Sequence, residues 1–234
     1  MSIDQSLLQA TRAGGGFLRL YRWNPPCLSF GRNEPAKTRY DTDRIRSLGL
    51  DTVRRPTGGR AVWHDRELTY AVAAPLDTFG SLQQTYAAIH HLLAAALRRL
   101  GVPASIAPHR SGRVPRLGSG ACFAAPVGGE IVVGERKLVG SAQLREGNAF
   151  LQHGSVLMDG GQDMVASITS GPSLPIAATS LREVLQSPPE YEDVAQVIAT
   201  EAERCWKDSW TRQTGSPDAV VGDKFGDSSW TWRR

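Results

Sequence analysis

Apolar side chains recur every three to four positions between Ser81 and Leu100, and this spacing predicts a long amphipathic helix. The stripe consists of Leu82, Tyr86, Ile89, Leu93, Ala96 and Leu100. Ser81 and Gln84 have the spacing of a capping box, which places the helix start at Ser81. His90 and His91 are adjacent, so their side chains point about 100° apart and do not easily share a metal ion. We expect them to form a partly exposed surface pair.

The same reading predicts shorter elements elsewhere. Apolar positions at helical spacing predict helices over 3–12, 41–48 and 191–206. Alternating or short apolar runs predict strands over 17–23, near 27–33, around Val53, over 61–74 with a break at His64-Asp65, and near 102–107. Hairpin strands are predicted over 130–133, 137–145 and 149–158, with Gly147-Asn148 as a turn.

Strands interrupted by helices, with antiparallel hairpins late in the chain, indicate an α+β fold with a mixed, largely antiparallel sheet flanked by helices. No linker-like stretch interrupts residues 1–210, which we interpret as one domain. Residues 211–234 contain few apolar side chains and are expected to form a polar, loosely attached C-terminal tail.

Composition limits the class of protein. The 234 residues are 41% hydrophobic, enough to fill the core of a domain. There is no run of about 18 apolar residues, and the N-terminus lacks the features of a signal peptide, so we expect no membrane span and a cytoplasmic protein. Cys27, Cys122 and Cys205 are odd in number and far apart, which argues against disulfides and against a zinc site.

The charge distribution is uneven although the net charge is only +4. The stretch from Thr78 to Gly129 contains no Asp or Glu. It carries Arg98, Arg99, Arg110, Arg113 and Arg116. A basic segment without acids attracts anionic partners. Nucleic acid is the general candidate, but the aromatic residues typical of single-strand binders are nearly absent. An acidic protein partner fits at least as well.

Cys122 and Lys137 are the candidate reactive pair. Cys122 follows the small residues 118–121, and Lys137 follows a tight turn at 134–136. A thiol is a useful nucleophile only as the thiolate, and a nearby ammonium group favours that form. The alternative is that Cys122 is a buried small apolar residue, the usual state of a free cysteine.

A second candidate is the segment around Gly58 and Gly59, which follows Arg54 and Arg55. Paired glycines let backbone N–H groups and guanidinium groups face an anion, as in a phosphate nest. A plain hairpin between two core strands is the equally simple alternative.

Two motifs resemble those of a known superfamily. RRPTGGRAVWHDRELTYAV at 54–72 resembles the RRxxGGxxVxHD signature of the lipoate-protein ligases and octanoyltransferases, which are related in fold to biotin-protein ligases. KLVGSAQLREGNAFLQHGSVLMD at 137–159 resembles the second signature of that superfamily. With PPCLSFGRN at 25–33 and the helix at 81–100, the resemblance extends from about residue 3 to 206.

Within the superfamily the chain resembles the cysteine-dependent octanoyltransferases of Gram-positive type. Arg60 stands where ATP-dependent ligases have a third glycine, and the sequence ends before an accessory domain. Cys122-Phe123 with Pro126, followed by Lys137, matches the CF-x-x-P segment and later lysine of the octanoyltransferases. The GRN at 31–33 is closer to many ligases, so an ATP-dependent lipoate-protein ligase remains an alternative, as does a lipoyl amidotransferase.

The resemblance implies transfer of an octanoyl group from acyl carrier protein to a lysine of a lipoyl domain or of the glycine cleavage H protein. Cys122 would carry the acyl group, Lys137 would assist it, and no cofactor or metal would be required. Arg55, Gly58, Gly59 and His64 would line one side of the pocket, and Gly140, Ser141 and Ala142 the other. His153 would either take a proton from the lysine or act as a buried structural histidine.

Further expectations concern partners and the acyl slot. Val62, Trp63, Val139 and Leu151 are candidates for an apolar slot, although core packing is the commoner role of such residues. The arginines of the 109–120 loop would contact the acidic carrier proteins. We expect a monomer that binds neither nucleic acid nor membrane. A non-catalytic module that only binds lipoyl domains or nucleic acid is the third hypothesis.

Overall fold

The structure is a computed structural model. It describes residues 1–108, 128–171, 177–207, 210–215 and 224–234. The predicted Cys122 site and the arginine-bearing loop at 109–120 lie outside these residues. None of the helices in the described ranges has the length and apolarity that crossing a membrane requires.

Helices and strands alternate along the chain. The α-helices are α1 (Ser2–Ala10), α2 (Ala36–Arg39), α3 (Thr42–Ser47), α4 (Leu82–Arg99), α5 (Asp163–Ser167), α6 (Leu181–Val184), α7 (Tyr191–Trp206) and α8 (Ser228–Thr231). The strands are β1 (Phe17–Tyr21), β2 (Cys27–Phe30), β3 (Asp51–Arg54), β4 (Val62–His64), β5 (Glu67–Pro75), β6 (Ser105–Ile106), β7 (Ile131–Val133), β8 (Arg136–Glu146) and β9 (Ala149–Leu157). Short 3₁₀ turns cover Thr11–Ala13 and Lys224–Gly226.

Two sheets organise the described residues. The larger has the strand order β1-β5-β9-β8-β7-β6, and every neighbouring pair is antiparallel. The smaller has the order β3-β2-β4, with β2 parallel to β3 and antiparallel to β4. The predicted α+β fold with a mixed, largely antiparallel sheet and flanking helices is therefore confirmed.

Strand β5 shows that the two faces of the larger sheet are packed differently. It is buried on both faces, and successive side chains point to opposite faces. Leu68, Tyr70 and Val72 pack with α4 and α7 in the main core. Ala71 and Ala73 pack on the other face with Leu8 of α1. Glu67 and Thr69 share that second face, so a buried polar row lies there beside apolar packing.

Most predicted elements are present with shifts of a few residues at their ends. The helix from Tyr191 to Trp206 has the predicted bounds, and Ser81 and Gln84 form the predicted capping box. Gly147-Asn148 joins β8 to β9 as expected. The predicted pair of partly exposed histidines is wrong for one member, because His90 is fully buried while His91 is exposed.

The end of the chain is not loosely attached as expected. The Trp230 indole N–H donates to the Arg54 carbonyl at 2.9 Å, and the Arg54 Nε–H donates to the Thr231 carbonyl at 2.9 Å. Trp232 packs on Phe30, with ring centroids 5.1 Å apart. Aromatic side chains thus anchor residues 224–234 on the smaller sheet, although the segment has few apolar residues overall.

Candidate functional site

A narrow pocket lies where the smaller sheet meets the larger one, on the face of β5 that carries Glu67 and Thr69. Its lining includes Arg55, His64, Gly140, Ser141, Ala142 and His153, six of the residues that the sequence indicated for substrate binding. Met1, Val62, Thr69, Gly154 and Ser155 complete it. Residues of both motifs, together with Met1, thus converge on one pocket. Their role in binding stays a prediction.

His64 is held between a carboxylate and a hydroxyl. Its Nδ1 lies 2.7 Å from Glu67 Oε1, and its Nε2 lies 2.7 Å from Ser29 Oγ. Because the carboxylate only accepts, Nδ1 carries a proton. Trp23 stacks on the imidazole with centroids 4.6 Å apart. The ring is therefore fixed in position and orientation.

His153 has the same kind of surroundings. Its Nδ1 lies 3.3 Å from Asp4 Oδ2, and its Nε2 lies 2.6 Å from Thr57 Oγ1. Burial lowers the pKa of His153, and the Asp4 carboxylate offsets this only in part, so the ring is neutral at pH 7. Its Nε2 lone pair is occupied by the Thr57 hydroxyl. This arrangement is that of the buried structural histidine, the alternative to a proton acceptor.

Asp4 is a site residue that the sequence did not reveal. Its carboxylate is fully buried and accepts from Arg19 at 2.7 Å and from Tyr21 at 3.0 Å. Burial alone would raise the pKa of Asp4, but the contacts with His153, the N-terminal amine and Arg19 bring it well below its ordinary value. Helix α1 therefore provides a charged anchor beneath the pocket.

The two arginines of the first motif bind the backbone rather than an open anion site. Arg54 donates to the carbonyls of Gly31 at 2.6 Å and Glu34 at 2.8 Å. Arg55 donates to the Gly58 carbonyl at 2.9 Å and to the Arg60 carbonyl at 2.6 Å. The anion-nest interpretation of these guanidinium groups is therefore wrong in this structure. Their observed role is to hold the turn that carries Gly58 and Gly59.

Close packing explains a glycine outside that turn. A Cβ on Gly31 would lie 1.9 Å from the Gly59 carbonyl oxygen, so only glycine allows the two loops to touch. The Arg32 N–H also donates to the Thr57 carbonyl at 2.8 Å. The loop after β2 therefore holds the turn at Gly58 and Gly59 in its position beside the pocket.

Lys137, the predicted partner of Cys122, is buried and bonded to a carboxylate. Its Nζ lies 2.6 Å from Glu130 Oε1, with side-chain exposures of 1% and 7%. Glu130 was not identified from the sequence, because a single acidic residue before a short strand has no distinctive pattern. Cys122 lies outside the described residues, and its pairing with Lys137 stays a prediction.

The other two cysteines are poor candidates for a nucleophile. Cys27 is buried in a core cluster, and burial together with the charge of Asp51 raises its pKa to about 12. Cys205 is exposed on α7, and partial burial of its thiol and a hydrogen bond to Glu201 raise its pKa. Both thiols therefore stay protonated at neutral pH.

Only one of the four predicted acyl-slot residues reaches the pocket. Val62 lines it, whereas Val139 lies in the main core, Leu151 packs with α1, and Trp63 packs on the core of the smaller sheet. The pocket volume is about 30 Å³, room for about two water molecules. An eight-carbon chain would require the surrounding side chains to move.

A second, larger cavity of about 280 Å³ lies on the other side of His64. Trp23, Arg22 and Tyr191 form one wall, and Arg66, Asp159 and Arg182 form another. Of the residues predicted from the sequence it contains only His64. We therefore take the smaller pocket, where the motif residues converge, as the candidate site.

A buried hydrogen-bond chain lies behind the pocket, on the helix face of the larger sheet. His90 Nδ1 lies 2.5 Å from the Gly129 carbonyl oxygen, and His90 Nε2 lies 2.7 Å from Ser141 Oγ. Ser141 Oγ lies 2.6 Å from the Tyr70 hydroxyl, to which Gln152 donates at 2.9 Å. Sequence reasoning missed this role of His90, because adjacent histidines on one helix gave no sign of which one faces the sheet.

The family match agrees with the two motifs that line the pocket. Residues 1–203 match the family model described as the lipoyl protein ligase A/B catalytic domain. The chain belongs to this family.

Sequence relatives point to one branch of it. The octanoyltransferase LipM of Moorella thermoacetica is 42% identical over 74% of this chain and 65% of its own length. The LipM of Kyrpidia tusciae is 37% identical over 85% of this chain and 79% of its own length. The LipM of Symbiobacterium thermophilum is 32% identical over 100% of this chain and 93% of its own length. The chain thus spans just under two thirds of the Moorella protein and nearly all of the Symbiobacterium one.

Solved structures support the fold. A lipoate-protein ligase A bound with ATP superposes with a TM-score of 0.78 at 20% identity, covering 99% of this chain and 92% of that one. The putative lipoate protein ligase Ta0514 of T. acidophilum gives 0.79 at 18% identity, over 100% and 92% of the two chains. At such identities the similarity establishes the architecture.

Proposed function

We propose that this protein is an octanoyltransferase of protein lipoylation. It would move an octanoyl group from acyl carrier protein to a lysine of a lipoyl domain or of the glycine cleavage H protein. The observation that carries the proposal is the convergence of both family signatures on one pocket, together with relatives named octanoyltransferase at 32% to 42% identity.

The proposed chemistry has two steps and balances without ATP. The Cys122 thiolate attacks the thioester carbonyl, the carbonyl–sulfur bond of the carrier breaks, and the carrier leaves as a thiolate that takes up a proton from water, so an octanoyl-Cys122 thioester forms. The lysine amine of the acceptor protein then attacks this carbonyl and gives up a proton to water as the amide forms. The Cys122 thiolate departs and is ready for another cycle. Two protein substrates can therefore use one site in turn.

The family resemblance suggests a role for each of these candidate residues. Lys137 would favour the Cys122 thiolate and stabilise the oxyanion of the tetrahedral intermediate. The turn at Gly58 and Gly59, held by Arg55, would close one side of the pocket, and Gly140–Ala142 would close the other.

Two observations support the assignment of the nucleophile to Cys122. The raised pKa values of Cys27 and Cys205 disfavour the thiolate at both alternatives. Lys137 lies near the start of β8, an interior strand of the larger sheet, and its ammonium donates to Glu130. Glu130 would share or release the ammonium group when negative charge develops on the substrate.

The arginines of the 109–120 loop remain the proposed docking site for the acidic carrier protein. Reversing Arg113 and Arg116 to Glu should raise the KM for octanoyl carrier protein and weaken its dependence on salt. An unchanged KM would remove this role. Arg99, which already pairs with Glu201 on α7 at 2.8 Å, serves as the control position.

The test is a transfer assay with octanoyl carrier protein, a lipoyl domain and the H protein, each with and without ATP. The proposal predicts octanoylation of an acceptor lysine without ATP. Transfer that requires free acid and ATP would identify a ligase, and transfer only from an octanoylated or lipoylated H protein would identify an amidotransferase. Binding of the acceptor without any transfer would identify a non-catalytic module.

A further inference from the structure

We propose that His90 is a positioning residue, which holds the Gly140–Ala142 wall of the pocket from behind through a directed chain of hydrogen bonds ending at Ser141. The effect of this chain on catalysis rests on the proposed function. Its geometry and proton positions do not.

Strand alternation lets the second signature contribute both to the pocket and to this chain of hydrogen bonds. On β9, His153 and Ser155 point to the pocket face, whereas Gln152 points to the helix face and bonds to Tyr70. On β8, Ser141 and Gln143 bond to groups on that helix face. The SAQ and QHGS segments therefore supply the pocket with one set of residues and the supporting network with the other.

Backbone carbonyls at the two ends constrain the directions of the bonds. Gln143 Nε2 donates to the Leu82 carbonyl at 3.1 Å and to Gln152 Oε1 at 2.9 Å, so Gln152 presents its amide N–H to Tyr70. The Tyr70 oxygen accepts that bond, and we assign its hydroxyl proton to the contact with Ser141, 2.6 Å away. At the other end, the Gly129 carbonyl accepts from His90 Nδ1.

These bond directions determine the protonation state of His90. Ser141 accepts from Tyr70, so its own proton goes to His90 Nε2, which must be unprotonated. A charged His90 would donate to Ser141 as Tyr70 does, and the Ser141 proton would then lose its acceptor in this chain of bonds. Burial is the main cause that lowers the pKa of His90 to about 4, and Lys137 and His91 add to it.

Gly154 is what allows Ser141 to take part. A Cβ at position 154 would lie 2.7 Å from Ser141 Oγ and 2.8 Å from Tyr70 Cε1. The glycine of the QHGS segment thus leaves the space that the Ser141 hydroxyl occupies between Tyr70 and β8. Gly129, at the other end, directly precedes Glu130, the partner of Lys137. His90 therefore links the pocket wall to the segment that holds the proposed catalytic lysine.

The proton positions can be tested without any assay of transfer. Long-range ¹H–¹⁵N correlation spectra of the whole protein at pH 7 should show His90 as the Nδ1–H tautomer, which is the minor form of free histidine. Its signals are assigned by their loss in His90→Asn. His91→Asn, an exposed neighbour on the same helix, is the matched control. An Nε2–H tautomer or an imidazolium at His90 would overturn the proposal.

The kinetic test distinguishes the hydrogen bond at His90 Nδ1 from the one at Nε2. Asn at position 90 retains a donor near Nδ1 but lacks the acceptor for Ser141, and Gln places an amide oxygen near Nε2. We expect His90→Asn to lower kcat about tenfold, as for one lost hydrogen bond, with the KM for the carrier protein unchanged. His90→Gln should recover part of that loss, and His91→Asn should behave as the wild type.

A double-variant cycle tests whether His90 acts through Ser141. If His90 acts through Ser141, the double variant His90→Asn, Ser141→Ala should lose no more activity than the more impaired single variant. Multiplication of the two losses would overturn the proposal. If the wild type shows no transfer, the proposed function fails, and the same double-variant cycle on unfolding free energy with the tautomer measurement still decides the role of His90.

Discussion

Lys137 Nζ and Glu130 Oε1 lie 2.6 Å apart at the β7–β8 hairpin, and both side chains are almost completely withdrawn from water. An ion pair in such a place adds little net stability over an apolar pair, but removing one partner leaves an uncompensated charge. The two residues therefore depend on each other. Variants of Glu130 can therefore distinguish the contribution of Lys137 to stability from its proposed contribution to catalysis.

The first prediction concerns stability. Glu130→Gln should lower the free energy of unfolding by about 3–5 kcal/mol, because Lys137 loses its buried carboxylate partner. Urea denaturation measures the change. Glu135→Gln, at the exposed turn of the same hairpin, is the control and should have almost no effect. Equal stabilities of the two variants would show that the ion pair does not hold Lys137.

The second prediction concerns the rate. Replacing the pair as a whole by Glu130→Gln with Lys137→Met removes the buried charges, so stability should be largely recovered relative to Glu130→Gln alone. Octanoyl transfer should nevertheless fall by about a hundredfold or more, because the electrostatic donor is absent. Single-turnover transfer measures this. A stable double variant with the wild-type rate would remove Lys137 from the mechanism.

The third prediction tests the contact between the two loops at the pocket. Gly31→Ala brings a Cβ to 1.9 Å from the Gly59 carbonyl oxygen, so the turn at Gly58 and Gly59 must move. We expect a loss of about 1–3 kcal/mol in unfolding free energy, typical of overpacking. Gly161→Ala is the control, since its nearest neighbour, Asp163 Oδ2, is 3.6 Å away. An equally small loss in both variants would contradict the close contact.

How far the sequence predicts this site depends on the kind of signal. Arg55, His64 and Ser141 could be placed in one pocket because long motifs carry them. Asp4 and Glu130 could not, since each is a single acidic residue whose partner lies elsewhere in the chain.

The same distinction applies to the fold. Periodicity located α4 and α7 well, because their apolar stripes are long and regular. It could not show that His90 is buried and His91 exposed, since a helical stripe does not identify which polar neighbour meets a partner across the core. Nor did it reveal that Trp230 and Trp232 anchor a segment poor in apolar residues, because two aromatic side chains replace a continuous stripe there.

The fourth prediction concerns acid. Folding lowers the pKa of His90 from 6.5 to about 4. Between these two pH values His90 is protonated in the unfolded chain and neutral in the folded protein. Stability contributed by neutral His90 is therefore full above pH 6.5 and is lost as pH falls towards 4. The loss is about 3 kcal/mol, since each pKa unit is worth about 1.4 kcal/mol.

The measurement is the unfolding free energy of His90→Asn and His91→Asn between pH 7 and pH 4. Among the described residues, the groups near His90 are Tyr70 on β5, Glu130 and Lys137 at the β7–β8 hairpin, and Tyr86 and His91 on its own helix. His90→Asn retains all of these, and His91→Asn removes only His91. His90→Asn should show a weaker pH dependence than His91→Asn. Identical slopes would contradict a neutral, buried His90.

The claim on which the account depends is that a thioester forms on Cys122. Its direct measurement is the intact mass of the protein after mixing with octanoyl carrier protein, without ATP and without an acceptor. The wild type and the Cys27→Ala and Cys205→Ala variants should each gain the mass of one octanoyl group, which hydroxylamine removes, and Cys122→Ala should gain none. Acylation that persists in Cys122→Ala, or that is absent from the wild type while transfer proceeds, would contradict the mechanism.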